Sequence, residues 1–485
     1  MNDPIRRLAS LTAFLFAALL IASTWIQSIG SADINNRSDN RRTLLNSYNR
    51  ERGQILVDGE PIARSTATKD ELKWQRTYSS PQLYSHVTGF YSFVYGTGGG
   101  VEDAENALLS GQSDKLFYGR VTDLLTGRRA KGASVELTID PAVQRAASEA
   151  LGDQRGAVVA LDPRTGEILA MVSKPNYDPS LLATHDVTAQ QEAWTELNGD
   201  PTRPLVNRAI GGNLYPPGST FKIVTAAAAI ESGTFTKDST LPGPAELDLP
   251  QTTTNLPNSH PGACGPNNKT TLLQALETSC NTAFGWLGME LGAETLADQA
   301  SRFGFGDRLD IPMRVADSTF PADADEPQTA QSAIGQFEVR TTPLQVAMIA
   351  AAVANDGVVM RPHMVRSILG SDTSVLEEKK VEQLSEAMSP ETADALTDMM
   401  QAVVESGTGT AAQIPGVAVA GKTGTAEHAK DAAPHAWFTA FAPADDPQVA
   451  VAVVVEDGGK AGSEAYGGTV AGPIAKAVME AVINP

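Results

Sequence analysis

Residues 8–29 carry no charge and follow Arg6 and Arg7. About 20 apolar residues suffice to cross a bilayer as a helix, so this run predicts a membrane anchor with its basic flank in the cytoplasm. A cleaved leader is the competing expectation, since Gly30-Ser31-Ala32 offers small residues at a cleavage position. The run is longer than a leader's apolar region, which favours an uncleaved anchor over residues 1–32. Either way, everything after Ala32 is expected outside the cytoplasm.

The pattern then changes twice. Residues 33–50 are polar and arginine-rich without an apolar period, which reads as a linker beside the membrane. Between 53 and 151 the apolar positions come in short, glycine-punctuated groups, and "SVELTIDPAVQ" reads as a strand followed by a helix capped by Asp140 with Pro141 at its first position. We expect a small non-catalytic domain within 33–151. From Gly156, two β-branched apolar runs flank Asp162-Pro163-Arg164-Thr165-Gly166, a hairpin signature. Helical spacing follows at 220–230, 272–291, 343–354 and 390–404. Three strand-like segments, "GVAVAGKTGTAE", "AWFTAFAP" and "QVAVAVVVED", precede a closing helix over 470–482. The order predicts an α+β domain over 152–485: one antiparallel sheet flanked by helices, with a helical insert. Internal repeats, low-complexity segments and glycine-rich phosphate loops do not occur.

Composition removes several function classes. The 485 residues carry a formal net charge of -20, contrary to what a phosphate backbone attracts, so no nucleic-acid partner is expected. The six histidines show no HExxH spacing and the two cysteines no CxxC, so neither a metal nor another cofactor is predicted. In an oxidising compartment Cys264 and Cys280 are a candidate disulfide, which for a loop of this size contributes about 3 kcal/mol in the chain-entropy model. Two buried free thiols are the alternative.

Candidate chemistry begins at "YPPGSTFK". Ser219 and Lys222 are three apart and share a face if a helix starts at Ser219, as Pro216, Pro217 and Gly218 dictate by not extending it backward. A helix N-terminus favours an alkoxide and an oxyanion, and a neutral lysine accepts a proton once burial or a nearby cation lowers its pKa. Alone this means little: about one S-x-x-K arises by chance in a chain this long, and Ser219 is equally a helix cap. Ser279-Cys280-Asn281 adds an S-x-N that interrupts a helical region with groups able to relay a proton and hold an amide. Two decoys, Ser38-Asp39-Asn40 and Ser47-Tyr48-Asn49, fall in the charged linker and are read as solvated. Finally, "AGKTGTAE" sets Thr423 and Thr425 on one side of a strand, with Lys422 as a cation for a carboxylate and Gly424 leaving room for a ligand.

The three motifs in this order resemble those of the penicillin-binding protein transpeptidases. The resemblance extends over nearly the whole chain after the anchor, through "RGQI", "GGGVEDAENALLSG", "VELTIDPAVQ", "GAVVALDPRTGEILAMVSKPNYDP", "AIGQFEVRTTPLQVAMIAAAVANDG" and "VVESGTGTAAQIPGVAVAGKTGTAE". It is to the class B, monofunctional type, and within it to the short actinobacterial penicillin-binding protein A group. It implies the serine transpeptidase fold and attack by Ser219 on the D-alanyl-D-alanine of a peptidoglycan stem peptide. Lys222 would be the base and Ser279 the proton relay. Asn281 would hold the peptide amide, Lys422, Thr423 and Thr425 would bind the terminal carboxylate, Gly424 would belong to the substrate-binding strand, and the N–H groups of Ser219 and Thr425 would form the oxyanion hole. β-Lactams would acylate the same serine, and division or elongation proteins are the implied partners. D,D-carboxypeptidase turnover is a side activity open to such an enzyme.

A glycosyltransferase partner domain is disfavoured, because 33–151 is short and shows no acidic site. A β-lactamase needs a deacylation base, and no carboxylate is identifiable as one. A membrane-tethered β-lactam sensor or division scaffold is the alternative from another class. Cys280 lacks a paired histidine and is not read as a nucleophile, although a bridge at this position makes the S-x-N loop redox-sensitive. Glu427, directly after the strand motif, is read as a solvated or salt-bridged carboxylate.

Overall fold

The computed structural model describes residues 3–28, 48, 50–116, 131–212, 214–429 and 432–484. The decoy Ser38-Asp39-Asn40 and the candidate cleavage position lie outside them. Asp3–Ser28 is one α-helix, long and apolar enough over Asp3–Ile26 to cross a membrane, with a mean hydropathy of 1.9.

The part of the chain after residue 152 is built on a five-stranded, fully antiparallel sheet. Its order is Ala420–Ala426, His435–Ala442, Val449–Val455, Gly156–Leu161 and Ile168–Lys174. The hairpin and the three late strands are therefore neighbours, although about 250 residues separate them in the chain. Both faces are covered, and for that reason the strands read as continuous apolar runs. Period two sorts them: Ala157, Val159 and Leu161 face the helical insert, while Val158 and Ala160 face the opposite core. On the insert side lies Pro343–Ala354, buried on nearly every position, and with it Lys222–Glu231 and Pro390–Glu405. The other face is closed by Gly472–Ile483 and Pro141–Leu151, which pack Val143, Ala147 and Leu151 with Ile474 and Val478. Asp140 caps the latter helix as expected, accepting from the N–H groups of Ala142 and Val143.

The second sheet has six strands, ordered Val375–Glu378, Val365–Leu369, Ser134–Leu137, Ile55–Val57, Glu60–Ala67 and Trp74–Tyr78. Ile55–Val57 pairs with Ser134–Leu137 in parallel, and the other pairings are antiparallel. Two strands are thus lent by residues 365–378. Period and composition gave no hint of this, because Val375–Glu378 is exposed throughout and has no buried face to pattern. Tyr48 corrects the expectation of a solvated linker: it is buried and stacks on Tyr91, with ring centroids 4.7 Å apart. Its partner comes from a distant strand, so the surrounding polar sequence conceals it.

Candidate active site

The nucleophile turn differs from the expected helix start. Gly218–Phe221 forms one 3-10 turn, and the α-helix proper is Lys222–Glu231. Ser219 makes no capping bond. Gly218 takes φ +54°, a region that only glycine enters freely, and donates its N–H to Gly335 O at 2.9 Å. A side chain on Gly335 would sit 2.1 Å from Gly218 O, so "AIGQ" and "PPGS" touch through bare backbone.

The helical region 272–291 is two helices, Leu272–Glu277 and Asn281–Leu291. Ser279 ends the first in the left-handed region, φ 59°, while its N–H bonds Leu276 O and that of Cys280 bonds Ala275 O, a Schellman pattern. Cys280 caps the second through its sulfur, which accepts from Ala283 N–H, and is bridged to Cys264. The break is thus fixed on both sides, and it turns both the carbonyl and the hydroxyl of Ser279 toward Lys222.

All three motifs converge. Lys222 Nζ donates to Asn281 Oδ1 at 2.7 Å and to Ser279 O at 2.8 Å, and lies 3.3 Å from Ser279 Oγ. Lys422 Nζ donates to Ser279 Oγ at 2.9 Å, to Thr423 O at 3.0 Å and to Thr423 Oγ1 at 3.3 Å. Both ammonium groups are fully buried without a carboxylate partner among the described residues. Burial pushes Lys422 down to about 7. Burial and then the Lys422 charge hold Lys222 well below the ordinary lysine range.

Ser219, Ser279, Thr423 and Thr425 open onto one cleft of about 240 Å³. Asn281 donates to Pro257 O at 3.1 Å and to Ser259 Oγ at 3.4 Å. Gly424 has a different reason from the expected one: a side chain there would meet Trp437 Cβ at 2.9 Å and Pro217 O at 3.0 Å. Its bareness lets the nucleophile turn dock on the strand rather than making room for a ligand. Sequence reasoning missed several lining residues, Thr408, His260 and Tyr466 among them. Thr408 meets Thr423 hydroxyl to hydroxyl at 2.8 Å, and its "SGTGT" was the available signal. His260 and Tyr466 stack at the cleft, centroids 5.7 Å apart, and no local pattern announces them. Elsewhere, His428, His435 and Asp457 bring polar atoms within 4.8 Å of one another. Their bonds are internal: Asp457 N–H donates to His435 Nδ1, and Arg155 pairs with the Asp457 carboxylate.

A serine beside two buried lysines, bridged by a second serine and set against an open sheet edge, defines acyl-transfer machinery of the penicillin-recognising serine class. Residues 156–480 match the family described as penicillin binding protein transpeptidase domain, and residues 52–135 the penicillin binding protein A dimerisation domain. The chain belongs to the penicillin-binding protein transpeptidase family. It is 45% identical to the peptidoglycan D,D-transpeptidase PbpA of Mycolicibacterium smegmatis over 100% of this chain and 99% of that one. It is 42% identical to PbpA of Mycobacterium tuberculosis over the same shares. Among solved structures, the ceftriaxone acyl-enzyme complex of penicillin-binding protein A from M. tuberculosis superposes with a TM-score of 0.87 at 42% identity, covering 91% of this chain and 100% of that one. The corresponding imipenem acyl-enzyme complex gives 0.85 at 41%.

Proposed function

We propose that this chain is a peptidoglycan D,D-transpeptidase that cross-links stem peptides through an acyl-enzyme on Ser219. The observation that carries the proposal is the meeting of both lysines on Ser279 Oγ beside Ser219. A neutral amine has two N–H donors and one lone pair. Asn281 Oδ1 and Ser279 O take both donors of Lys222, which leaves its lone pair for a hydroxyl proton. Lys222 is then the base for Ser219, and its lowered pKa favours the neutral form that a base needs. Ser279 accepts from Lys422, and its Oγ lies 3.3 Å from Lys222 Nζ, an arrangement suited to passing a proton to the departing D-alanine. Lys422, Thr423 and Thr425 receive the terminal carboxylate, Asn281 holds the peptide amide, and the N–H groups of Ser219 and Thr425 receive the oxyanion. Gly424 acts by bringing that strand against the nucleophile. The amine of a second stem then takes the acyl group.

The helix Asp3–Ser28 anchors the chain in the cell membrane with residues 152–485 outside the cytoplasm, and the part before residue 152 offers itself to division or elongation proteins. The test has two arms. Intact mass after penicillin treatment is expected to show one adduct, absent in Ser219→Ala. Cells carrying only Ser219→Ala are expected to lose cross-linking; unchanged cross-linking and septation would favour a scaffold or sensor instead.

A further inference from the structure

A second cavity, of about 330 Å³, lies where the two family-matched regions meet. His86, Phe90 and Tyr95 reach it from residues 52–135, and Tyr177, Trp194 and Asn207 from residues 156–480. Its size falls at the small end of ligand pockets, ~300–1,000 Å³. The rings on its wall touch in pairs. Tyr95 and Trp194 stack with centroids 4.6 Å apart, Phe90 meets Trp194 in a T at 6.1 Å, and His86 meets Tyr177 likewise at 5.5 Å. Phe90 and Tyr177 are buried, whereas Tyr95 and Trp194 are half-buried and keep ring surface open to a ligand.

The polar groups of this wall are few and incompletely used. His86 is 6% exposed, and its Nε2 lies 3.2 Å from Pro175 O, a carbonyl that can only accept. The ring proton therefore sits on Nε2, and Nδ1 keeps a lone pair with no partner among the described residues. Burial pushes His86 down to about 4, so the ring is neutral. The indole N–H of Trp194 also has no partner among the described residues. Asn207 Oδ1 accepts from Ala209 N–H at 3.1 Å, while its Nδ2 donates to His86 O at 3.4 Å and otherwise meets only Met171 Sδ, a weak acceptor, at 3.8 Å. Among the described residues no charged side chain lines the cavity, so an ammonium or carboxylate ligand would go unpaired there. What fits is a neutral molecule with a C–H face for the rings and both donors and acceptors around its edge. A pyranose bearing an acetamido group has that form, because its axial hydrogens make one face apolar and meet the negative face of an aromatic ring.

Resting on the transpeptidase reading, which makes peptidoglycan the substrate, we propose that this cavity is a glycan subsite that seats one N-acetylated pyranose of a peptidoglycan strand. The Tyr95–Trp194 stack takes the C–H face of the sugar. His86 Nδ1 accepts from its amide N–H, and the Trp194 and Asn207 donors meet its oxygens. Twelve residues separate Asn207 from Ser219, which places the cavity within about 43 Å of the nucleophile even for a fully extended chain. The subsite holds the strand while the stem peptide reaches the cleft.

The test measures binding to the full-length enzyme in detergent by saturation-transfer NMR. The probes are tetra-N-acetylchitotetraose, its de-N-acetylated form and maltotetraose. The first is expected to bind, and the other two about tenfold more weakly or worse, since one buries ammonium groups and the other lacks the amide that His86 receives. Trp194→Ala and Tyr95→Ala should each raise the dissociation constant about tenfold or more, because an aromatic contact is lost together with its buried area. Trp194→Phe keeps a ring in place and should retain most of the binding, which tells a lost contact from a disturbed fold. Penicillin acylation, which reports folding, should stay at the wild-type rate in all three variants. With stem-peptide donors, the alanine variants should raise KM only when the donor carries its glycan. Absence of saturation transfer to tetra-N-acetylchitotetraose, or equal binding by Trp194→Ala and wild type, would overturn the subsite alone. Sugar binding without D-alanine release from any stem-peptide donor would sink the transpeptidase reading and leave the sugar site standing.

Discussion

Glu102 sits at the centre of a buried ion triad, and Glu102→Gln tests what holds the six-stranded sheet together. Its carboxylate accepts from Arg52 Nε at 2.6 Å and from Arg76 Nε at 2.5 Å, and all three side chains are at most 4% exposed. Burial raises its pKa, but Arg76 and Arg52 outweigh it and hold the carboxyl below its usual range. With charge centres about 4 Å apart, each attraction amounts to about 4 kcal/mol at an effective dielectric constant of 20. Desolvation of the three ions costs several kcal/mol each, so the intact triad contributes little net. Removing the central charge is another matter, because it deletes both attractions while two like charges stay buried. The glutamine keeps the volume, so no cavity confuses the result. We expect a loss of about 3–5 kcal/mol, the range for breaking a buried pair. Hydrogen exchange on the full chain reads this locally. Protection of Ile55–Val57 and Trp74–Tyr78 should fall by about two to three and a half decades, at 1.4 kcal/mol per decade, with the five-stranded sheet and penicillin acylation unchanged. A fall of less than tenfold would refute the reasoning.

Two further outcomes are expected at the active site. The pH profile of penicillin acylation, as kcat/KM, should be bell-shaped. Deprotonation of Lys222, whose pKa burial lowers, creates the base, and discharge of Lys422 at about 7 removes the carboxylate's partner. Lys422→Arg carries a guanidinium that does not titrate in this range, so its alkaline limb should vanish; an unchanged limb would assign it elsewhere. Asn281→Ala frees one Lys222 donor and should slow acylation on the order of 10²-fold with little change in melting temperature, because Asn281 contacts Lys222, Pro257 and Ser259 at the cleft rather than the core. A variant that acylates at the wild-type rate would remove Asn281 from the machinery.

Much of this molecule is local in origin and was legible as such. Asp140-Pro141 starts its helix, Asp162 to Gly166 turns its hairpin, and 343–354 is helical from end to end. Those features depend on neighbours within four residues, which sequence pattern reports directly. The candidate site was legible for a different reason: three short motifs in one order resembled a family. Legibility stopped where a residue's reason lay in a distant partner. Gly424 looked like space for a ligand until Trp437 and Pro217 filled that space. Tyr48 looked solvated until Tyr91 covered it.

The sequence by itself determined the apolar N-terminal run, the order of strands and helices, and the three motifs of the candidate site, because each is written in spacing or residue type. Only the tertiary structure decided that Lys222 and Lys422 meet on one serine hydroxyl 57 and 143 residues away, that residues 365–378 complete the six-stranded sheet, and that Ser219 lies in a 3-10 turn. Such facts depend on which surfaces pack together, and packing energy is shared across the whole core, so no short window of sequence contains it.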